Sequence, residues 1–351
     1  MLQPETDLST LGWDEAWDEQ LRTEHPGLDP ARITSEHRGS FMLLGTDGEH
    51  TGIVPGRLRH AGISPAVGDW VAIASEGDPR VIEGVLPRRT AFSRNVAGTE
   101  TREQVLAANV DLVFVVVSSM DGSMARRVER FLTLAWESGA RPVVVITKSD
   151  LSDDPAGAVT TVKAVAPGVE VHAVSSVEER GLDEIEVYLS GYPSIVLLGP
   201  SGVGKSTLIN RLCGVDVMAT HETRSDGKGR HTTSHRQLLI LPDGGVIIDT
   251  PGMRELQLWD ASEGLVSSFD DIEALAEGCR FNDCSHTHEP GCAVLEAIER
   301  GELPEERLAS YRKLGRELAA LARKKDQRLA REASRSWKKL SADARARARH
   351  R

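Results

Sequence analysis

The residues Gly199-Pro200-Ser201-Gly202-Val203-Gly204-Lys205-Ser206-Thr207 spell a full G-x4-G-K-[ST] phosphate loop. The glycines let the backbone curl until its N–H groups converge on phosphate oxygens, and the following helix adds its positive end. Lys205 is then placed to neutralise the β- and γ-phosphates, and Ser206 to hold Mg²⁺ through its hydroxyl. A second cluster lies downstream. Cys279-x4-Cys284-x-His286-x5-Cys292 gathers three thiols and an imidazole within 14 residues, the donor set of a closed tetrahedral zinc site of structural type, with His288 as the alternative to His286. Four protein ligands leave no open position, so a catalytic zinc is not expected there. Cys213, the fourth cysteine, falls at the end of the phosphate-loop helix and reads as a core residue.

Four weaker motifs surround the strong one. Guanine differs from adenine in offering N1–H and an exocyclic amine to one carboxylate. Thr147-Lys148-Ser149-Asp150, ending a buried strand, resembles the Asn-Lys-x-Asp guanine-reading motif of GTPases: Lys148 and Asp150 match, and Thr147 departs from the common Asn. Val174-Ser175-Ser176, followed by Gly181-Leu182, resembles the segment whose backbone supports the guanine base. Asp249-Thr-Pro-Gly252 resembles the Asp-x-x-Gly switch that reaches Mg²⁺ through water and senses the γ-phosphate, and Gly229-Arg-His-Thr232-Thr233 sits where a first switch supplies a Thr to Mg²⁺. The base-reading segments precede the phosphate loop, the reverse of the usual order, so the domain reads as a circular permutation. A doubly wound sheet tolerates this, because its ligand loops stay at the carboxyl edge whichever connection is cut.

These loops need a scaffold. From about residue 105 to 258, apolar runs such as Val110–Val117, Arg141–Thr147, Val169–Val174, Ile195–Leu198 and Val246–Ile248 alternate with helical stretches. Continuous Val/Ile runs are strands buried on both faces, which predicts a parallel α/β sheet with crossover helices. Between Arg38 and Arg94 short alternating segments separated by Gly, Pro and Asp turns predict a small antiparallel barrel. Its arginines (Arg57, Arg59, Arg80, Arg88, Arg89, Arg94) suit an oligonucleotide-binding (OB) barrel touching phosphates, or are simply solvated. Trp13 and Trp17, at helical spacing, suggest a short helix in an acidic N-terminal appendage, followed by a loop at Pro26, Gly27 and Pro30.

The expected division is an extension over 1–37, an OB-fold barrel over 38–98, a permuted P-loop GTPase domain over 99–259, a mainly helical zinc-binding domain over 260–322 and a basic tail over 323–351. The chain has 351 residues and a formal charge of −11, which argues against an indiscriminate nucleic-acid coat. The tail holds 12 Lys/Arg against Asp326, Glu332 and Asp343, a local +9 that leaves −20 on residues 1–322. No apolar run approaches the roughly 20 residues of a membrane helix, and the acidic first 30 residues lack a secretory h-region. A cytoplasmic protein is expected, with no membrane partner.

An arginine-bearing barrel, a permuted GTPase and a Cys/His knot in this order resemble the ribosome small-subunit-dependent GTPase A (RsgA) family of bacteria. The similarity covers roughly residues 38–320 and is most specific at Gly199–Thr207, Gly229-Arg-His-Thr-Thr, Asp249–Gly252 and the run from Cys279 to Val294. It implies GTP and GDP as ligands, Mg²⁺, one structural Zn²⁺ on Cys279, Cys284, His286 and Cys292, and a monomer that binds the small (30S) ribosomal subunit and its rRNA late in maturation. Hydrolysis stimulated by that subunit would drive release. A Gln often follows Asp-x-x-Gly to orient water; here that place is Met253, and His231 in the first switch is the candidate instead. The competing readings are a permuted GTPase of large-subunit assembly and a non-enzymatic, nucleotide-stabilised RNA-binding scaffold.

Overall fold

The computed structural model describes residues 6–37, 39–96, 102–191, 193–218, 237–249, 262–320 and 323. They divide into two compact units, Met1–Ser93 with Val105–Leu256, and Arg94–Gln104 with Gln257–Arg351.

In the first unit, β1 (Asp29–His37), β2 (Ser40–Gly45), β3 (Gly48–Ile53), β4 (Trp70–Ile73) and β5 (Arg80–Val85) run in the order β1-β2-β3-β5-β4, and β4 returns to pair with β1. Every pairing is antiparallel except β3 with β5. Closing the barrel removes its sheet edges and turns Ile33, Leu43, Val71, Ile73 and Ile82 into a fully buried core. The first barrel strand therefore begins at Asp29, inside the stretch read as an extension. Pro30 pairs with Ala72 of β4, and the ladder with β2 begins only at Ala31.

The residues before β1 form a packed layer, where the sequence suggested an appendage. Asp14 caps the helix Glu15–Glu24 by accepting from the Trp17 N–H (3.0 Å), and that helix buries Trp17 and Leu21. Trp13 meets Trp70 of the barrel edge-on with ring centres 4.8 Å apart. The Gly245 N–H donates to the Thr10 carbonyl (2.7 Å), tying the same layer to the sheet behind it.

Next come β6 (Ala91–Val96) and β7 (Arg102–Ala108), paired as a separate two-stranded sheet. The remaining strands are β8 (Leu112–Ser118), β9 (Arg141–Thr147), β10 (Glu170–Ala173), β11 (Ser194–Leu198), β12 (Gln237–Ile240) and β13 (Val246–Asp249). They order as β10-β9-β8-β11-β13-β12, parallel throughout except for β12, which runs antiparallel to β13. Every residue of β8 is buried, as a strand covered on both faces requires. Helix Met124–Glu137 packs on β8 and β9. On the other face Phe114, Val116, Val143 and Val145 share a core with Leu208, Ile209 and Leu212 of helix Lys205–Cys213.

Ser35 of β1 pairs with Gln237 of β12, so barrel and α/β sheet form one continuous ladder. Arg32 reinforces the junction. Fully buried, it donates to the carbonyls of Gly68 and Asn109 (3.3 Å each), to that of Leu11 and to Ser194 Oγ (2.7 Å), and its guanidinium lies over Trp70. Burial brings its pKa down to about 10.

The second unit is mainly helical: Ser262–Ser268, Asp270–Ala276, Ala293–Glu299 and a helical stretch over 305–320. Phe269, Ile272, Val294, Ala297, Leu303 and Leu308 make its core. Arg307, only 2% exposed, is held by both oxygens of Asp271 and by the Ser268 carbonyl while covering the Phe269 ring. Among the described residues no helix is long and apolar enough to cross a membrane.

Candidate nucleotide and metal sites

The parallel strands all end at one edge, and the chemistry-bearing loops follow from those ends. Thr147–Asp150 leaves β9, Ser175 and Ser176 follow β10, Gly199–Thr207 leaves β11, and Asp249 ends β13. His231, Thr232, Thr233 and Gly252 lie outside the described residues, as does Met253.

The phosphate loop is shaped by close backbone approach. Gly199 has φ +153°, and a Cβ there would stand 2.1 Å from the Val116 carbonyl oxygen; only glycine fits. Lys205 opens the helix Lys205–Cys213, and its Nζ donates to the carbonyls of Gly199 (2.7 Å) and Pro200 (2.6 Å), folding back over the loop. Leu208, Ile209 and Leu212 anchor the helix behind it, so the loop stands on packed sheet.

The 147–150 segment is tied to the same loop. Thr147 is 2% exposed, and its hydroxyl is shared between the carbonyls of Val117 (3.0 Å) and Val203. The hydroxyl thus occupies the strand-to-loop junction where the motif more often has Asn. Lys148, in the left-handed region at φ +57°, donates from Nζ to the Gly202 carbonyl (2.8 Å). Its own carbonyl accepts from Ser119 Oγ (2.6 Å), and the Ser149 N–H donates to Val174 (3.1 Å), joining the two base-side segments. Asp150 then sits on the short turn Ser149–Leu151.

The 175–181 loop is closed on itself. Ser175 and Arg180 exchange both backbone hydrogen bonds (2.9 and 3.1 Å), and Ser175 Oγ accepts from the Glu178 N–H (3.0 Å). Ser175 and Ser176 are buried. Arg211, a residue the sequence reading passed over, reaches this loop from the phosphate-loop helix. Its partners lie 32 and 35 positions away, and no local pattern announces them.

In the second unit the ligand atoms of Cys279, Cys284, His286 and Cys292 all lie within 4.8 Å of one another. Cys279 Sγ is 3.8 Å from Cys292 Sγ and 3.6 Å from His286 Nδ1, which in turn is 3.4 Å from Cys292 Sγ. Of the two histidines, His286 is buried in this cluster, whereas His288 is exposed and outside it. Burial opposes ionisation of the Cys279 thiol, but the N–H groups of Val294 and Ala293 together with the Cys292 and Cys284 thiols bring its pKa down. Burial pushes Cys284 up to about 11 and holds the His286 imidazole below its ordinary value, with Arg312 acting in the same direction. Glu289 braces the loop: its carboxylate accepts from the Ser285 hydroxyl and from the N–H groups of Ser285 (3.1 Å), Thr287 (2.8 Å) and His288 (3.1 Å), and those bonds hold its pKa well below the carboxylate range. Sequence spacing gave no sign of this clasp, which steadies the left-handed turn at His286 (φ +56°).

Four of the six barrel arginines are held by carboxylates of the same unit. Arg88 forks onto buried Asp69 (both contacts 2.7 Å), Arg89 onto Asp14 (2.5 and 2.7 Å), Arg80 pairs with Asp47 (2.7 Å), and Arg57 pairs with Glu83. These four guanidiniums, read from the sequence as phosphate contacts or as solvated side chains, form ion pairs within the unit.

Comparison with known proteins places the assembly. The model of the RsgA GTPase family matches residues 85–259. The small ribosomal subunit biogenesis GTPase RsgA of Streptomyces avermitilis is 49% identical over 354 aligned positions, covering 97% of this chain and 93% of its own length. The chain belongs to the RsgA GTPase family. A second relative of the same name, from Streptomyces coelicolor, is 46% identical across 95% of this chain and 93% of its own. The crystal structure of YjeQ from Thermotoga maritima superposes with a TM-score of 0.65 at 29% identity, covering 83% of this chain and 98% of that one. YloQ, described as a circularly permuted GTPase, gives 0.62 at 27% identity, covering 85% and 97%. This RsgA-family member is therefore a GTP-hydrolysing enzyme of circularly permuted fold, with a guanine nucleotide as its ligand.

Proposed function

We propose that this RsgA-family GTPase acts in the cytoplasm, as a monomer, in late maturation of the small (30S) ribosomal subunit, hydrolysing GTP to GDP and phosphate when that subunit and its rRNA stimulate it. The supporting observation is 46–49% identity, over nearly the full length, to relatives named small ribosomal subunit biogenesis GTPases, together with the base-side and phosphate-side loops meeting at one sheet edge.

In this reading Gly199 to Thr207 cradle the phosphates through backbone N–H groups, Lys205 neutralises the β- and γ-phosphates, and Ser206 holds Mg²⁺ with Thr232 or Thr233. Asp249 faces the metal through water and the Gly252 N–H meets the γ-phosphate. Asp150 reads guanine, Lys148 and Thr147 brace its segment against the loop, and Ser175 and Ser176 support the base. His231 positions the attacking water, since Met253 offers no group for that task.

Cys279, Cys284, His286 and Cys292 hold one structural Zn²⁺. Two thiolates about 2.3 Å from one tetrahedral zinc stand ~3.8 Å apart, which is the separation of the Cys279 and Cys292 sulfurs. Held by these four side chains, a zinc ion would crosslink the loop that carries them, and four protein ligands would fill its tetrahedral shell.

The test is GTP turnover with purified small subunits, with purified large subunits, and alone. Strong stimulation by small subunits only is expected. Stimulation by large subunits would favour the other branch of permuted GTPases, and no stimulation by either would overturn the proposal.

A further inference from the structure

Arg211 joins the two halves of the nucleotide site. It lies on the helix Lys205–Cys213, which begins with the phosphate-binding lysine, and its side chain crosses to the loop after β10. Its Nε–H donates to the Ser176 carbonyl (2.9 Å) and its Nη1 to the Glu179 carboxylate (2.7 Å).

That loop needs such a tie. Glu179 sits at φ +56°, a region that non-glycine residues enter only when surroundings hold them there. Gly181, at φ +71°, lies so close to Ala173 that a Cβ would stand 2.6 Å from its carbonyl oxygen. The Ser175–Arg180 bridge fixes the loop's neck. Arg211 holds its middle, and holds it from the element that carries the phosphate site.

We infer that Arg211 is a positioning residue for guanine recognition: its planar fork sets the base-supporting loop at a fixed height above the phosphate loop, so that base and phosphates are gripped together. The inference rests on the assignment of Ser175 and Ser176 to the base side. A rigid fork suits this role better than a lysine, because two donors in one plane fix direction as well as distance. The Glu179 arm is half exposed and contributes little on its own; the partly buried bond to the Ser176 carbonyl carries most of the effect.

The experiment measures dissociation constants of GDP, ADP and inorganic pyrophosphate for the full chain and for Arg211→Met, Arg211→Lys and Glu179→Gln. Wild type should prefer GDP to ADP strongly; equal binding would refute the nucleotide-site reading itself, separately from the role of Arg211. Arg211→Met should weaken GDP by about tenfold, as loss of a charge-assisted hydrogen bond does, narrow the GDP-to-ADP ratio by a similar factor and leave pyrophosphate within twofold. Arg211→Lys should recover part of the loss, and Glu179→Gln should weaken GDP by about twofold. GDP affinity unchanged in Arg211→Met overturns the inference. A parallel fall in pyrophosphate affinity also overturns it, since the side chain would then act on the phosphate helix. If Arg211→Met does not fold, Arg211→Lys decides by the same ratio: a narrowed GDP-to-ADP ratio with pyrophosphate unchanged supports the inference, and an unchanged ratio overturns it.

Discussion

The phosphate loop and the Cys/His cluster both gather small-ligand chemistry from short stretches of chain, yet they are supported in opposite ways. The loop stands on a sheet whose central strand is buried along its whole length, and its shape follows from contacts with residues far off in sequence, Val116 and Thr147 among them. The cluster gathers four ligands within 14 residues over a modest helical core, and its local ties are a glutamate clasp and a left-handed histidine. A site supported by long-range packing keeps its form without its ligand. A site supported by local turns depends on the ligand for much of its stability.

The largest expected effect follows from that difference. Stripping metal with a chelator, or Cys284→Ser, should remove on the order of 10 kcal/mol from the second unit. Circular dichroism should lose helical signal from 262–320 while GDP affinity stays within twofold, and elemental analysis of wild type should find one zinc per chain. Loss of GDP binding in step with the metal would show the two sites to be one cooperative structure.

Lys205→Ala should lower GTP turnover by about 10²- to 10³-fold, the usual consequence of removing one preorganised charge from a reacting phosphate. Thermal unfolding should shift by no more than about 2 °C, because removing Lys205 takes away no core contact. Gly199→Ala reverses the pattern: the added Cβ meets a backbone oxygen at 2.1 Å, and stability should fall by about 2–3 kcal/mol along with nucleotide affinity. The pair separates charge from shape, and a Gly199→Ala protein with wild-type stability would refute the packed-loop account.

The smallest effect concerns the ties of the first unit. Hydrogen bonds from Arg89 hold the Asp14 carboxyl below its ordinary 3.8, against a smaller opposing effect of burial. A carboxylate with a lowered folded-state pKa stabilises above the unfolded value and loses that contribution as pH falls through the folded one. Between pH 7 and pH 3 wild type should therefore lose about 0.5 kcal/mol that Asp14→Asn never had, a difference kept small by solvent around a half-exposed pair. Urea midpoints at the two pH values measure it, and equal acid sensitivity of the two proteins would remove Asp14 from the account.

What was legible in the sequence was whatever local order encodes. The Val/Ile runs gave β8, β9, β11 and β13 to within a residue or two at most ends, and the phosphate loop, the permutation and the Cys/His spacing needed no tertiary information. Tertiary partnerships were not legible. Nothing local marks Arg32 for burial, and only the approach of Leu11, Gly68, Asn109 and Ser194 makes it a buried junction. The ion pairs of Arg88 and Arg89 were hidden because their carboxylates lie 19 and 75 positions away, so the barrel arginines read as phosphate contacts or as solvated side chains. β1 was hidden because Pro26, Gly27 and Pro30 resemble a loop until β2 and β4 flank it. Arg211 had no signal at all, since its two partners are defined only by the fold.

One row of backbone pairing runs from the barrel to β13. Gln237 pairs with Ser35 of the barrel on one side and with Asp249 on the other. Neighbouring strands are ~4.8 Å apart, so the barrel backbone runs roughly 10 Å, two strand spacings, from the residue assigned to face Mg²⁺. Between the barrel and β13 lies one strand, β12. Whatever side chains the barrel surface carries, the shortest route from its backbone to Asp249 is two rows of strand pairing.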